Sequence, residues 1–263
     1  MKRFTDGSAG DADYSVIGSG YAQIRQPDPR IAAQFHAALG DARRVLNVGA
    51  GAGSYEPTDR EVTAVEPSAS MRAQRPAHLS EAVDATAESL PFADDSFDAA
   101  MASITVHQWP EPERGLAEMR RVTTGHIAIL TFEPNPPQHW WMLDYVPELF
   151  EVESRRMPAL DRIARALGGR TEVQIVPIPA DSTDRFGQAL FARPEQMLEP
   201  AVRRAMSAWS FLDPRTVDDF HHRLTADLAS GEWDRRYGEF RNLPEFDGGL
   251  RLVISRPEGP GEE

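Results

Sequence analysis

The segment Val45-Leu46-Asn47-Val48-Gly49-Ala50-Gly51-Ala52-Gly53 constrains this chain more than any other. A short apolar run suited to a buried strand ends in glycines at three alternate positions. Backbone without Cβ atoms can approach a ligand closely and can turn through conformations closed to other residues. The next acidic residue at a strand end is Glu66, in Val62-Thr63-Ala64-Val65-Glu66-Pro67. A carboxylate placed there can accept both ribose hydroxyls of an adenosine-containing cofactor. The glycine spacing is G-x-G-x-G, not the G-x-G-x-x-G that seats a pyrophosphate on a helix N-terminus. Only eight residues, Ser54 to Glu61 with Pro57 among them, separate Gly53 from the next strand. A full phosphate-binding helix does not fit there, which favours a cofactor without phosphates.

Short strand-like runs alternate with helical spacing along the rest of the chain, the pattern of a parallel sheet with crossover helices. Strands are expected at Arg44–Val48, Val62–Val65, Ala82–Asp84, Phe97–Ala102, Ile127–Phe132, Val173–Ile178 and Leu250–Ser255. Helices are expected over Asp28–Leu39, from a Ser68 cap to about Arg75, and over Pro112–Val122 and Pro158–Leu167. Residues 1–12 and 257–263 read as flexible ends around a domain of residues 13–256. Within that domain, 13–43 form an N-terminal lid and helix and 44–132 the cofactor-binding core. Residues 180–248 form a helical cap ahead of the last strand.

Composition removes whole classes of chemistry. The chain has no cysteine, which excludes disulfides, thiolate metal sites and thiol nucleophiles. Its net charge of −13 counts against a nucleic-acid partner. No apolar run is long enough for a membrane span, and the N-terminus has no apolar export core, so a cytoplasmic location is expected. His221-His222 lacks an H-E-x-x-H context, and no metal site is expected.

The stretches VLNVGAGAGSYEP, VTAVEPSASM, DATAESLPFADDSFDAA and ASITVHQWPEPERGLAEMRRV follow one another from residue 45 to 122. In this order and spacing the chain resembles a class I S-adenosylmethionine-dependent methyltransferase of the small-molecule branch. The resemblance implies an α/β, Rossmann-like, seven-stranded sheet, mostly parallel with an antiparallel last strand. It also implies S-adenosylmethionine as cofactor and a small-molecule acceptor, with O-, N- and C-methylation all open. The oligomeric expectation is a monomer or homodimer. Two alternatives stand beside this reading. One is a non-catalytic S-adenosylmethionine binder. The other is an NAD(P)-dependent oxidoreductase, against which the glycine spacing and short crossover speak.

By the same resemblance, Gly49, Ala50, Gly51 and Gly53 line the methionine and ribose end of the cofactor, and Glu66 holds the ribose. Pro67 and Met71 flank the adenine, with Thr86, Ala87 and Glu88 near its amino edge. Ser103 passes near the methionine. Asn47 stands where the family usually has an acid that helps hold the methionine amino group, and Thr86 replaces an Asp at the adenine edge. Ahead of the first strand, Arg25 is placed to pair the methionine carboxylate, and Tyr14 or Tyr21 to face the sulfonium, with a packing Tyr pair and a surface Arg as the alternative.

Methyl transfer from a sulfonium needs chiefly approach geometry, with a base only where the nucleophile carries a proton. His107, just after the fourth strand, is the first candidate base, with a wall role as its alternative. Asp181, after the strand at Val173–Ile178, is the second, with a helix-capping or loop role as its alternative. His107, Trp109, His139, Trp140 and Trp141 are candidate walls of an acceptor pocket, the two tryptophans alternatively anchoring the cap. Phe186, Phe191, Met197, Trp209 and Phe211 read as cap core with some facing that pocket.

Overall fold

The computed structural model describes residues 4–18, 20–135 and 137–258. Its centre is a seven-stranded sheet. The strands are β1 (Arg44–Val48), β2 (Glu61–Val65), β3 (Ala82–Val83), β4 (Ala99–Ser103), β5 (Ile127–Phe132), β6 (Arg170–Ile175) and β9 (Leu250–Arg256). Their order is β3-β2-β1-β4-β5-β9-β6. The pairs from β3 to β5 are parallel, and β9 runs antiparallel between β5 and β6. The expected topology is therefore present, including the reversed last strand.

Alternation along the strands builds two cores. In β4, Ala99 and Met101 face one side, and Ala100 and Ala102 the other. In β5, Ala128 and Leu130 join the first core, Ile127 and Ile129 the second. Period-two projection on a strand buried on both faces calls for a near-continuous apolar run, and Ile127–Phe132, interrupted only by Thr131, is such a run. Helix α3 (Pro29–Ala37) covers the first face through Ile31 and Phe35. Helices α5 (Pro112–Arg121) and α8 (Leu160–Leu167) pack together over the second, through Leu116, Met119, Ile163 and Leu167. Helix α3 starts where Asp28 accepts a hydrogen bond from the Arg30 amide, with Pro29 in the first turn.

Several boundaries depart from the sequence expectation. The run Val173–Ile178 is not one strand. Pro177 has no N–H to continue the ladder, so β6 ends at Ile175. Ile178–Pro179 (β7) instead pairs with Glu245–Phe246 (β8) in a separate two-stranded ribbon. The helix after Ser68 is one turn, α4 (Ala69–Arg72). Residues 49–60 contain turns and bends and no helix, so the crossover between β1 and β2 is shorter still than expected.

Residues 180–248 hold three 3-10 turns, the short helices α9 (Pro200–Arg204) and α11 (Glu232–Tyr237), and the 17-residue α10 (Pro214–Ser230), with a further 3-10 turn after α11. Aromatic side chains join this segment to the sheet. Trp141 packs edge-on against Trp233, with ring centroids 5.7 Å apart, and its indole N–H donates to the Phe191 carbonyl at 3.0 Å.

Residues 4–12, assigned to a flexible end on composition, lie packed across the sheet edge. Ser8 and Ala12 are buried. The Asp6 carboxylate accepts from the hydroxyls of Ser68, Ser70 and Ser8, and Asp11 pairs with Arg156 at 2.7 Å. Burial opposes ionisation of Asp6, but these hydrogen bonds outweigh it and hold its pKa down to about 2. Small polar residues that look unstructured by composition here supply matched donors and acceptors. Of the expected C-terminal tail, only Pro257 and Glu258 fall within the described residues.

Candidate active site

Parallel strands end together, so the loops after β1, β2 and β4 meet at one edge of the sheet, where open α/β sheets bind ligands. The glycine loop is tied to β2: the amides of Gly49 and Ala50 both donate to the Val65 carbonyl at 2.9 Å. Gly49 has φ +68°, and a Cβ there would lie 2.4 Å from Thr105 Oγ1. The loop after β1 therefore presses on the loop after β4, and only glycine permits it. Glu66 fastens the other side, accepting from the Gly51 and Ser68 amides at 2.8 Å each. Burial raises its pKa, and the two amide hydrogen bonds oppose that rise.

The result is a cleft between these loops at the carboxyl ends of the strands. Most residues expected to hold the cofactor line it. Gly49, Ala50, Gly51 and Asn47 come from the first strand and its loop; Glu66, Pro67 and Met71 come from the second. Thr86, Ala87 and Glu88 form the far end, Ser103 the floor, and Tyr14 and Tyr21 the near wall. Trp109, expected in an acceptor wall, lines this cleft instead. Sequence reasoning missed Ser8, Ala9, Ile104, Thr105 and Gln108, which also line it. Ser8 and Ala9 were hidden by the composition of the N-terminal segment. The others sit among the quoted motif residues but bear no charge or ring to mark them.

Two expected cofactor residues lie elsewhere. Gly53 closes the glycine turn against Leu79, away from the cleft. Arg25 is already paired: its guanidinium forms a two-pronged contact with Asp184 at 2.5 and 3.2 Å. Tyr55 also donates to Asp184, at 2.9 Å. Arg25 and Asp184 are both buried. The attraction of Asp184 overrides burial and keeps Arg25 charged. A guanidinium so occupied is not free to pair a methionine carboxylate.

Asn47 shows how the site manages without the usual acid. Its amide Nδ2 donates to Glu56 Oε2 at 3.0 Å, and Arg75 pairs with the same carboxylate at 2.9 Å. A carboxylate only accepts, so the NH2 must face Glu56 and the carbonyl oxygen the other way. Oδ1 is buried with no hydrogen-bond partner, on a residue that lines the cleft. A buried acceptor left open in this way fits a ligand that donates a hydrogen bond there, as an amino group does.

A second chamber adjoins the first, with Tyr14, Tyr21 and Ile104 lining both. Its other walls include His107, Arg25, Phe132, Glu153, Arg156 and Phe186. Ile104 has φ +49°, which a β-branched residue adopts only under constraint from its surroundings. His107 is in the chamber as expected, but it is a poor proton acceptor. Burial, with Arg156 and Arg25 nearby, pushes its pKa down to about 3. Gln108 Nε2 lies 2.8 Å from its Nε2.

The other acceptor-side expectations fail on position. The Asp181 side chain is 83% exposed and pairs with Arg30 on the surface, outside this chamber. Its loop turns outward because Ile178–Pro179 leaves the main sheet. Trp140 and Trp141 are fully buried in the core that joins sheet and cap. His139 is exposed. Adjacent tryptophans so placed contribute packing, the alternative weighed for them.

The fold and site together define an α/β domain with a glycine-lined cleft at the carboxyl ends of its parallel strands and a second chamber adjoining it. Residues 46–129 match the family described as "Methyltransferase domain". The chain is 33% identical to a crystal structure from Anabaena variabilis, provisionally described as a methyltransferase from an antibiotic biosynthesis pathway. That match covers 89% of this chain and 99% of the other, with a TM-score of 0.82. It is 43% identical over 100 residues to a demethylmenaquinone methyltransferase of Renibacterium salmoninarum, spanning 34% of this chain and 41% of that relative. A phosphoethanolamine N-methyltransferase of Haemonchus contortus, solved with S-adenosylmethionine, shares the fold at 14% identity and a TM-score of 0.54. That match covers 94% of this chain and 57% of the other.

The chain belongs to the class I S-adenosylmethionine-dependent methyltransferases, and S-adenosylmethionine is the cofactor of that family. Among the described residues, no helix is long and apolar enough to cross a membrane.

Proposed function

We propose that this chain transfers a methyl group from S-adenosylmethionine to a small organic acceptor held in the second chamber. The observation that carries the reading is the junction of the two chambers at Tyr14, Tyr21 and Ile104. A donor in the glycine cleft and an acceptor in the adjoining chamber would face each other across these residues, the arrangement an in-line displacement needs. Glu66 would hold the ribose, Asn47 Oδ1 the methionine amino group, and Thr86 to Glu88 the adenine edge. The bound cofactor supplies an activated methyl group, so the chain's task is to orient the acceptor and exclude water. The pathway ascribed to the Anabaena variabilis relative is in keeping with a small organic acceptor.

Calorimetry with S-adenosylmethionine, S-adenosylhomocysteine and NADH on one preparation tests the cofactor assignment. Binding of the first two and not the third is expected, and tight NADH binding alone would overturn it. Release of S-adenosylhomocysteine with an acceptor present separates an enzyme from a mere binder.

A further inference from the structure

The acceptor chamber contains one carboxyl group with no partner. Glu153 lies on helix α7 (Pro147–Arg156) and lines the chamber. Its carboxylate forms no hydrogen bond or ion pair among the described residues, and Arg156 is the one charged neighbour that acts on it. The other charged groups facing the chamber are matched. Arg156 is held by Asp11 at 2.7 and 2.9 Å, and Arg25 by Asp184. His107 from the β4 loop is neutral, and burial keeps Tyr14 and Tyr21 protonated. Helix i, i+3 spacing puts Glu153 within reach of Arg156. The fold turns both toward the site, and gives Arg156 to another acid.

We propose that Glu153 is the catalytic base of this enzyme and that its acceptor presents an uncharged hydroxyl, of the phenol or enol class, to the methyl donor. The inference rests on the methyltransferase reading above and adds the acceptor atom to it. The acceptor O–H bond breaks and its proton passes to the Glu153 carboxylate. The oxygen lone pair forms the O–CH3 bond. The S–CH3 bond breaks with its electron pair returning to sulfur, leaving neutral S-adenosylhomocysteine and protonated Glu153.

Electrostatics favours a hydroxyl over the alternatives. Arg25 and Arg156 are matched by Asp184 and Asp11, so the donor sulfonium is the unmatched cation, and an ammonium acceptor would set a second one beside it. The same sulfonium stabilises negative charge developing on an oxygen. A carboxylate acceptor needs no base and would face Glu153 as a like charge. Burial lifts the Glu153 pKa to about 7, against the pull of Arg156, which suits base catalysis near neutrality.

The test uses three probes of one shape: naphthol, naphthylmethylamine and naphthoic acid, each with S-adenosylmethionine, read by S-adenosylhomocysteine release. Naphthol should be the preferred acceptor. Glu153→Gln should lower its kcat by 10²-fold or more, the span of general base catalysis, with KM within about threefold. The rise of kcat/KM with pH through about 7 should vanish in Glu153→Gln and persist in Glu153→Asp. Retained kcat in Glu153→Gln, preference for the amine or the acid, or no naphthol turnover by protein that binds S-adenosylmethionine would each overturn the proposal. Loss of cofactor binding in the wild type would instead strike the methyltransferase reading.

Discussion

Replacing Asn47 by Asp restores the residue usual in the family, and the structure indicates that it would harm this protein. The Asn47 amide donates to Glu56 Oε2 at 3.0 Å, so the new carboxylate would face an existing one at that distance. At an effective dielectric of about 20, that repulsion is roughly 5–6 kcal/mol. Arg75 is shared with Glu56 and offsets only part of it. The folded state can escape by retaining a proton. Holding one at pH 7 on a carboxyl of ordinary pKa ~3.9 costs about 4 kcal/mol, which caps the loss. The hydrogen bond restored by that proton returns about 1 kcal/mol, so a deficit of about 3 kcal/mol is expected. The carboxyl pKa is then raised in the folded state. The deficit is full at pH 7, shrinks by about 1.4 kcal/mol per pH unit on acidification, and vanishes near the unfolded pKa. Urea unfolding of wild type and Asn47→Asp at pH 7 and pH 5.5 measures both quantities. A loss below about 1 kcal/mol at pH 7, or a deficit equal at the two pH values, would refute the assigned orientation of the amide.

Asp184→Asn leaves the Arg25 guanidinium buried without its counter-charge and should cost about 3–5 kcal/mol in the same assay. The joint replacement Arg25→Met with Asp184→Leu should recover most of that, and a single-variant loss under about 1 kcal/mol would contradict the account. Asp181→Ala should leave stability within about 0.5 kcal/mol and turnover within threefold, because its side chain is 83% exposed and outside the chamber. A tenfold fall in kcat would restore it as a catalytic candidate. The His107 ring signals in NMR should not titrate between pH 8 and pH 5, since its pKa is held down to about 3. A midpoint above pH 5 would return it to consideration as a base.

The lining of the first cleft was legible in the sequence because its residues are adjacent in the chain and sit at strand–loop junctions. The glycines at 49 and 51, Glu66 at the next strand end, and the stretch 86–88 are each set by a strand–loop junction. Parallel strands carry every such junction to the same edge. The lining of the second chamber was not legible in the same way. Asp181 and the Trp140-Trp141 pair follow strands, the right place by topology. Pro177 ended one strand early and turned Asp181 outward, while burial of two large rings drew the tryptophans into the core. Glu153 and Arg156 lie in a helix that was not expected from the sequence.

Local sequence thus determined the strands and the loops that line the first cleft, because backbone geometry and strand alternation repeat over short distances, while the reversed last strand was implied by the family resemblance. Tertiary structure alone decided which charges are spent on one another. Arg25 meets Asp184 across 159 positions and Arg156 meets Asp11 across 145, leaving Glu153 unmatched beside them. Desolvation makes such pairings obligatory once the groups are buried, and long-range packing chooses the partners.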